Sequence, residues 1–182
     1  MPKQSIFIGD EFTNNYGDTF VVINYEGSSK VTVRFESGYV TSTQAVHIRM
    51  GVCRDVFSRK MFGVGYVGDG PHKPSVNRVM TREYCLWKRI HERSYSEKYH
   101  KIRPTYEDVT VSEEWQCFQT FAEDIKELQG YDKWLLNDGS MELDKDVKIP
   151  GNKTYSKEAC MFITASENTH DANRRRELNK EK

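Results

Sequence analysis

Two runs rich in Val, Ile, Phe and Tyr open the patterned part of the chain: TFVVINY (19 to 25) and VTVRFESGYV (31 to 40), separated by the Gly-Ser turn EGSSK. This pattern predicts a β-hairpin. GDEFTNNYGD before it supplies turns at Asn14, Asn15 and Gly17, and STQAVHIRMGV after it adds a further short strand, so the N-terminal part reads as a small all-β barrel or curled sheet. Nothing in it forms a catalytic constellation. GVGYVGDGPHKP (63 to 74) holds four glycines and two prolines, which forbid a long helix or a central strand and predict a linker over residues 59 to 76. Its Gly63, Gly65 and Gly68 spell a nucleotide-loop pattern, but Asp69, Gly70 and Pro71 follow where such a loop needs a helix.

Beyond residue 76 the apolar period changes from two to nearly four. In TREYCLWKRIHERSY, Tyr84, Trp87 and Ile90 repeat at helical spacing while Arg82, Lys88, Arg89 and Arg93 take other positions, predicting an amphipathic basic helix. A tyrosine-rich loop, SYSEKYHKIRPTYEDVTV, follows. Then Ser112 stands as N-cap to EEWQCFQTFAEDIKELQG, whose Trp115, Phe118, Phe121, Ala122, Ile125 and Leu128 line one side as core and whose Gly130 stops it. MELDKDV and ACMFITA read as two strands joined by KIPGNKTYSKE, with Ser166 capping a last helix, ENTHDANRRRELNKEK.

Charge alters this picture more than composition does. The 182 residues are 37% hydrophobic and 30% charged, and 9 Phe, 10 Tyr and 3 Trp are too many aromatics for a disordered chain. No apolar run nears the roughly 20 residues that span a bilayer, and the N-terminal stretch lacks the pattern of a cleaved signal, so the expectation is a cytoplasmic protein without membrane contact. Cys53, Cys85, Cys117 and Cys160 form no C-x-x-C pair and read as buried thiols, not as a zinc ribbon or a disulfide frame. Net charge is zero, which argues against coating nucleic acid by bulk positive charge. Its distribution is uneven: residues 77 to 104 carry 8 Lys+Arg and 3 Asp+Glu, residues 105 to 146 carry 3 and 12, and residues 147 to 182 carry 8 and 5. Two basic segments that meet on one face would make a phosphate-binding surface.

A hairpin followed by a helix also suits a particular chemistry. Phosphodiester cleavage in a ββα-metal site uses one divalent ion, held by a carboxylate on the hairpin and an Asn or His on the helix, with a general base to activate water. Asp144 and Asn168 take those two places. The plainer reading of the same residues is a solvated strand end, with Asp144 or Asp146 accepting hydrogen bonds from the turn amides of Gly151 or Asn152.

Residues 81 to 176 resemble a phage group of HNH-type, homing-endonuclease-like proteins. The resemblance rests on Tyr84, Trp87, Arg93 and Tyr95, on Val109, Val111, Trp115, Phe118 and Phe121, and on Leu143, Asp144, Lys145, Asp146, Tyr155, Cys160, Phe162, Asn168, Asn173, Arg174 and Arg175, in order and at matching spacing. It implies an α+β protein: an SH3-like β-barrel over residues 1 to 58, a linker over 59 to 76, and an HNH-like ββα-metal domain with added helices over 77 to 182. It further implies Mg2+ or a similar divalent ion on Asp144 and Asn168, and double-stranded DNA contacted by Asn173, Arg174, Arg175 and Arg176 and by Arg89 and Arg93 on the earlier helix.

The departures from that pattern matter as much. Cutting members of the class place the base histidine directly after the Asp and an Asn before the second strand; here these positions hold Lys145 and Ala159. Lys145 lies between Asp144 and Asp146, which favour its ammonium form, so it suits a phosphate contact better than proton abstraction. His170 and His100 are the replacement bases within sequence reach. Two functions therefore remain: a metal-dependent DNA endonuclease, as a nickase, or a non-cutting descendant that binds DNA or a host protein as a regulator or takeover factor in the host cytoplasm.

Overall fold

The alternation in TFVVINY and VTVRF sends Phe20, Val22, Val31, Val33 and Phe35 to one side, and that side is buried. A computed structural model describes residues 5–136 and 141–170 and divides into two compact units, Met1–Ser58 and Arg59–Lys182. In the first, β1 (Glu11–Thr13), β2 (Thr19–Tyr25), β3 (Val31–Phe35) and β4 (Val40–Thr43) form an antiparallel sheet in chain order, with Phe20 opposite Phe35 and Val22 opposite Val33. The expected long strand from 31 to 40 is broken by a turn in which Gly38, at φ 88°, donates its N–H to Phe35 O. The strand expected after it is instead α1 (Ala45–Arg49). Ala45 and Ile48, three apart, are both buried, which suits a helical turn laid over the sheet's apolar side. Among the described residues β1 and β4 remain sheet edges, so this unit is an open meander capped by a helix and not a closed barrel.

The second unit is mixed α and β. Its elements are β5 (Ser75–Val76), β6 (Val79–Met80), α2 (Arg82–Tyr95), α3 (Glu97–Ile102), β7 (Thr110–Val111), α4 (Glu113–Gln116), α5 (Phe118–Asp124), α6 (Tyr131–Leu136), β8 (Met141–Asp144), β9 (Thr154–Tyr155) and β10 (Met161–Thr164), with helix α7 over residues 165–170. One aromatic core holds it together: Trp87, Trp115, Phe118, Phe121, Tyr155 and Phe162 are each at most 2% exposed. Among the described residues no helix is long and apolar enough to cross a membrane.

The glycine-rich segment read as a linker belongs to this second unit and is packed against it. Tyr66 donates its N–H to Gln116 O (2.9 Å) and accepts from Phe118 N (3.0 Å), while the Gln119 side chain bonds both the N–H and the carbonyl of His72 at 2.9 Å. Three of its glycines, Gly65, Gly68 and Gly70, serve close approach, not flexibility. A Cβ on Gly65 would stand 2.7 Å from His91 Nε2, and one on Gly68 would stand 2.6 Å from Cys117 Sγ. The same docking breaks the helix expected from 113 to 130. Cys117 turns extended (φ −83°, ψ 121°) to bridge Tyr66, so α4 ends at Gln116 and α5 starts at Phe118, yet the apolar stripe stays buried as expected.

A cleft between the hairpin and two helices

β8 and β10 pair antiparallel, with Asp144 opposite Met161 and Leu143 opposite Phe162, and Leu143 and Phe162 face the core. α7 follows without a loop. Its start is a capping box on Thr164, not on Ser166: Thr164 Oγ1 accepts from Glu167 N (3.2 Å), and Glu167 Oε2 accepts from Thr164 N (2.7 Å). Thr-Ala-Ser-Glu spells that box in the sequence, and Ser166 merely lies inside it. Strand, strand and helix therefore come in the order expected from the sequence.

The long connection between β8 and β10 is not a plain loop. β9 within it pairs parallel with β7, Thr110 beside Thr154 and Val111 beside Tyr155, which pulls the connection against α2 and the turn Pro104–Tyr106. Between them lies a polar cleft of about 380 Å³ lined by Arg93, Tyr106, Glu142, Asp144, Lys145, Asp146, Lys153, Tyr155 and Asn168 among others. Four residues picked out from the sequence, Arg93, Asp144, Lys145 and Asn168, thus meet in one place.

Their bonding is specific. Asp144 Oδ1 accepts from the backbone N–H groups of Asp146 (2.8 Å) and Val147 (2.7 Å), an Asx turn onto nearer amides than the expected Gly151 or Asn152. Asn152 instead donates to Lys145 O (2.7 Å) and Thr154 O (2.6 Å) and so shapes the cleft wall. Burial holds the Asp144 carboxyl above the usual carboxylate range; the two amides oppose that shift and the neighbouring Asp146 adds to it. Its anionic form is thus one that a cation in the cleft would stabilise. Lys145 lies 3.7 Å from Asp146 and 5.9 Å from the ring centres of Tyr106 and Tyr155, its side chain only 13% exposed. Arg93 bonds the Tyr155 phenol and faces the Tyr106 ring at 5.9 Å, and burial raises the pKa of both phenols, which keeps them neutral.

Asn168 donates Nδ2 to Glu142 Oε2 at 3.0 Å, which leaves its carbonyl oxygen as the atom a cation would take. Glu142 and Asp144 are two apart on β8 and share a face, and the spelling E-L-D carries that signal. Nothing in the sequence marked Tyr106 or Lys153, which the β7–β9 pairing brings in from elsewhere. Among the described residues no group of three or more His, Cys, Asp or Glu side chains converges on one point. Asp144 and the Asn168 carbonyl are the oxygen donors of the expected ion site that line the cleft, beside the carboxylates of Glu142 and Asp146; a hard divalent ion held there would take its remaining coordination from water and phosphate.

The other expected residues are elsewhere. Arg89 is exposed on α2 outside the cleft, and His170 is exposed on α7 and does not line it. His100 is committed to Arg93 O through Nε2 (2.9 Å). Asn173, Arg174, Arg175 and Arg176 lie outside the described residues. In comparisons with protein-family models, characterised proteins and solved structures, nothing matches the chain.

Proposed function

We propose that this protein binds duplex DNA by seating a backbone phosphate in the cleft, and that it does so as an HNH-type ββα-metal protein joined to an SH3-like N-terminal unit. The observation that carries the reading is the meeting of Arg93, Lys145 and Lys153 with Asp144 and Asn168 where the hairpin runs into a helix. Three cations match a phosphodiester, and Arg93, held against Tyr155, offers its remaining N–H groups already oriented. Asp144 and Asn168 would hold Mg2+ or a similar ion, which when bound neutralises charge on the scissile phosphate and the leaving oxygen. Lys145 then acts as a phosphate contact beside the site and not as its base.

Retention on a duplex that weakens as salt rises, together with Mg2+- or Mn2+-dependent nicking of supercoiled plasmid that Asp144→Ala abolishes, is the expected result for a nickase. A second reading is favoured by two observations: Lys145 stands in the base position, and Asp144 Oδ1 is already engaged by two amides. It is a non-cutting DNA-binding regulator, or a factor that captures a host protein in the host cytoplasm. DNA retention without product under any divalent ion identifies the first of these, and absence of retention sinks the DNA reading altogether.

A further inference from the structure

The hairpin ahead of α2 carries features that the cleft does not use. β5 and β6 pair Val76 with Val79 and Ser75 with Met80 around a two-residue turn, Asn77-Arg78, whose φ angles are 50° and 66°. Turns of this kind favour Asn-Gly, because a side chain in left-handed backbone is strained. Here that position holds an arginine. Val76, Val79 and Met80 are 53%, 70% and 50% exposed, so three large apolar side chains crowd the tip of a six-residue hairpin. From Pro71 to Arg82 there is no carboxylate, while Lys73, Arg78 and Arg82 are cationic. Arg82 is committed to the carbonyls of Leu135 (2.7 Å) and Trp134 (2.6 Å) and anchors the base of the hairpin. Lys73 and Arg78 are exposed and have no ion pair among the described residues.

We infer that this hairpin is a second DNA contact, with Arg78 entering the minor groove and Val76 and Val79 pressing on a base step. The inference rests on the duplex-DNA reading of the cleft. A cationic, acid-free tip with an apolar wedge matches a narrow, phosphate-walled groove, where the negative potential is strongest and where apolar side chains unstack base steps. α2 supplies the spacing. The hairpin joins its N-terminal end through Thr81, whose side chain caps the helix, whereas the cleft takes Arg93 near its C-terminal end. Eleven residues of rise separate Arg82 from Arg93, about 16 Å at 1.5 Å each. Half a duplex turn is about 17 Å. Arg89, seven residues after Arg82 and four before Arg93, lies within about 20° of the Arg82 face and about 40° of the Arg93 face, and is exposed between the two contacts.

The test is fluorescence anisotropy of the full chain on A·T-rich and G·C-rich duplexes of about three turns, with thermal unfolding of each variant alongside. Arg78→Gly removes the cation and relieves the left-handed backbone, and Val79→Thr keeps the shape of the tip while making it polar. The expected result is about tenfold weaker binding of the A·T-rich duplex by Arg78→Gly, a salt slope shallower by about one, and a melting temperature equal to or above that of wild type. Val79→Thr should narrow the difference between the two duplexes. Hairpin variants that bind like wild type while Lys145→Ala loses affinity would overturn this contact and leave the cleft reading standing. Affinity lost only in step with melting temperature would make the hairpin's role structural and also overturn it. If wild type itself fails to bind either duplex, both readings fall.

Discussion

Asp144 can be a turn cap, a cation ligand or both, and two substitutions separate these roles. Asp144→Ala deletes the acceptor of two backbone N–H groups, at 2.8 and 2.7 Å. Each such bond contributes about 0.5–1.5 kcal/mol net, so the loss should be about 1–3 kcal/mol. For a unit of this size that is roughly 5–10 °C in melting temperature. Asp144→Asn keeps an Oδ1 acceptor in place and removes only the charge. Because burial raises the Asp144 pKa, the folded state holds this proton more tightly than the unfolded chain does, and stability from this group falls as pH rises through and above the ordinary carboxylate range. At pH 7 without divalent ions, Asp144→Asn should therefore be at least as stable as wild type. Adding Mn2+ or Mg2+ at millimolar concentration should raise the wild-type melting temperature and leave both variants unmoved. All three tryptophans, Trp87, Trp115 and Trp134, lie in the second unit, so their fluorescence in a urea titration reports this unit alone. If Asp144→Asn proves as destabilising as Asp144→Ala, the charge itself is structural and the reasoning from burial is refuted. If the ion stabilises Asp144→Asn as much as wild type, Asp144 is not its ligand.

Further outcomes follow from the core and its titrating group. Gly130 sits at φ 86° with the position of a Cβ 2.6 Å from Phe162 O, so Gly130→Ala should cost about 2–4 kcal/mol in the same urea titration, through left-handed strain plus displacement of β10. His91 is fully buried, donates Nδ1 to Trp87 O (2.9 Å), leaves Nε2 without a partner beside Gly65, and is lowered by burial to about 4. Its neutral form contributes stability that is complete above about pH 6.5 and is lost as pH falls toward 4, up to about 3 kcal/mol. His91→Met should flatten that acid slope, measured as unfolding free energy against pH.

Periodic elements were legible because their signal is local. The alternation in β2 and β3, the Tyr84, Trp87 and Ile90 spacing of α2, and the apolar stripe from Trp115 to Leu128 each need only neighbours in sequence, and each is buried where the pattern places it or packs against that core. Legibility failed where a distant segment decides. Gly65, Gly68 and Gly70 look like flexible punctuation until Trp87, His91, Cys117 and Gln119 press against them. The same contact breaks the helix at Cys117, a residue with no breaker chemistry of its own. In the candidate site, Asp144 and Asn168 could be matched to a strand and a helix from order alone. Tyr106 and Lys153 could not, since a two-residue parallel pairing, β7 with β9, is too short to leave a pattern. Ser166 and Thr164 are both hydroxyl residues near an acidic first turn and so compete for the cap in the sequence; Glu167, three residues after Thr164, decides between them.

The central claim, that the cleft seats a DNA phosphate, is tested most directly by the salt dependence of duplex binding with the full chain and with Lys145→Ala/Lys153→Ala. Each phosphate contact contributes about 0.9 to the slope of log K against log salt. The double variant should bind more weakly at every salt concentration, with a slope shallower by about one and a loss of affinity that persists at temperatures where its tryptophan fluorescence reports a folded unit. An affinity and slope equal to those of wild type, or a wild-type protein that does not bind duplex DNA at low salt, would contradict it.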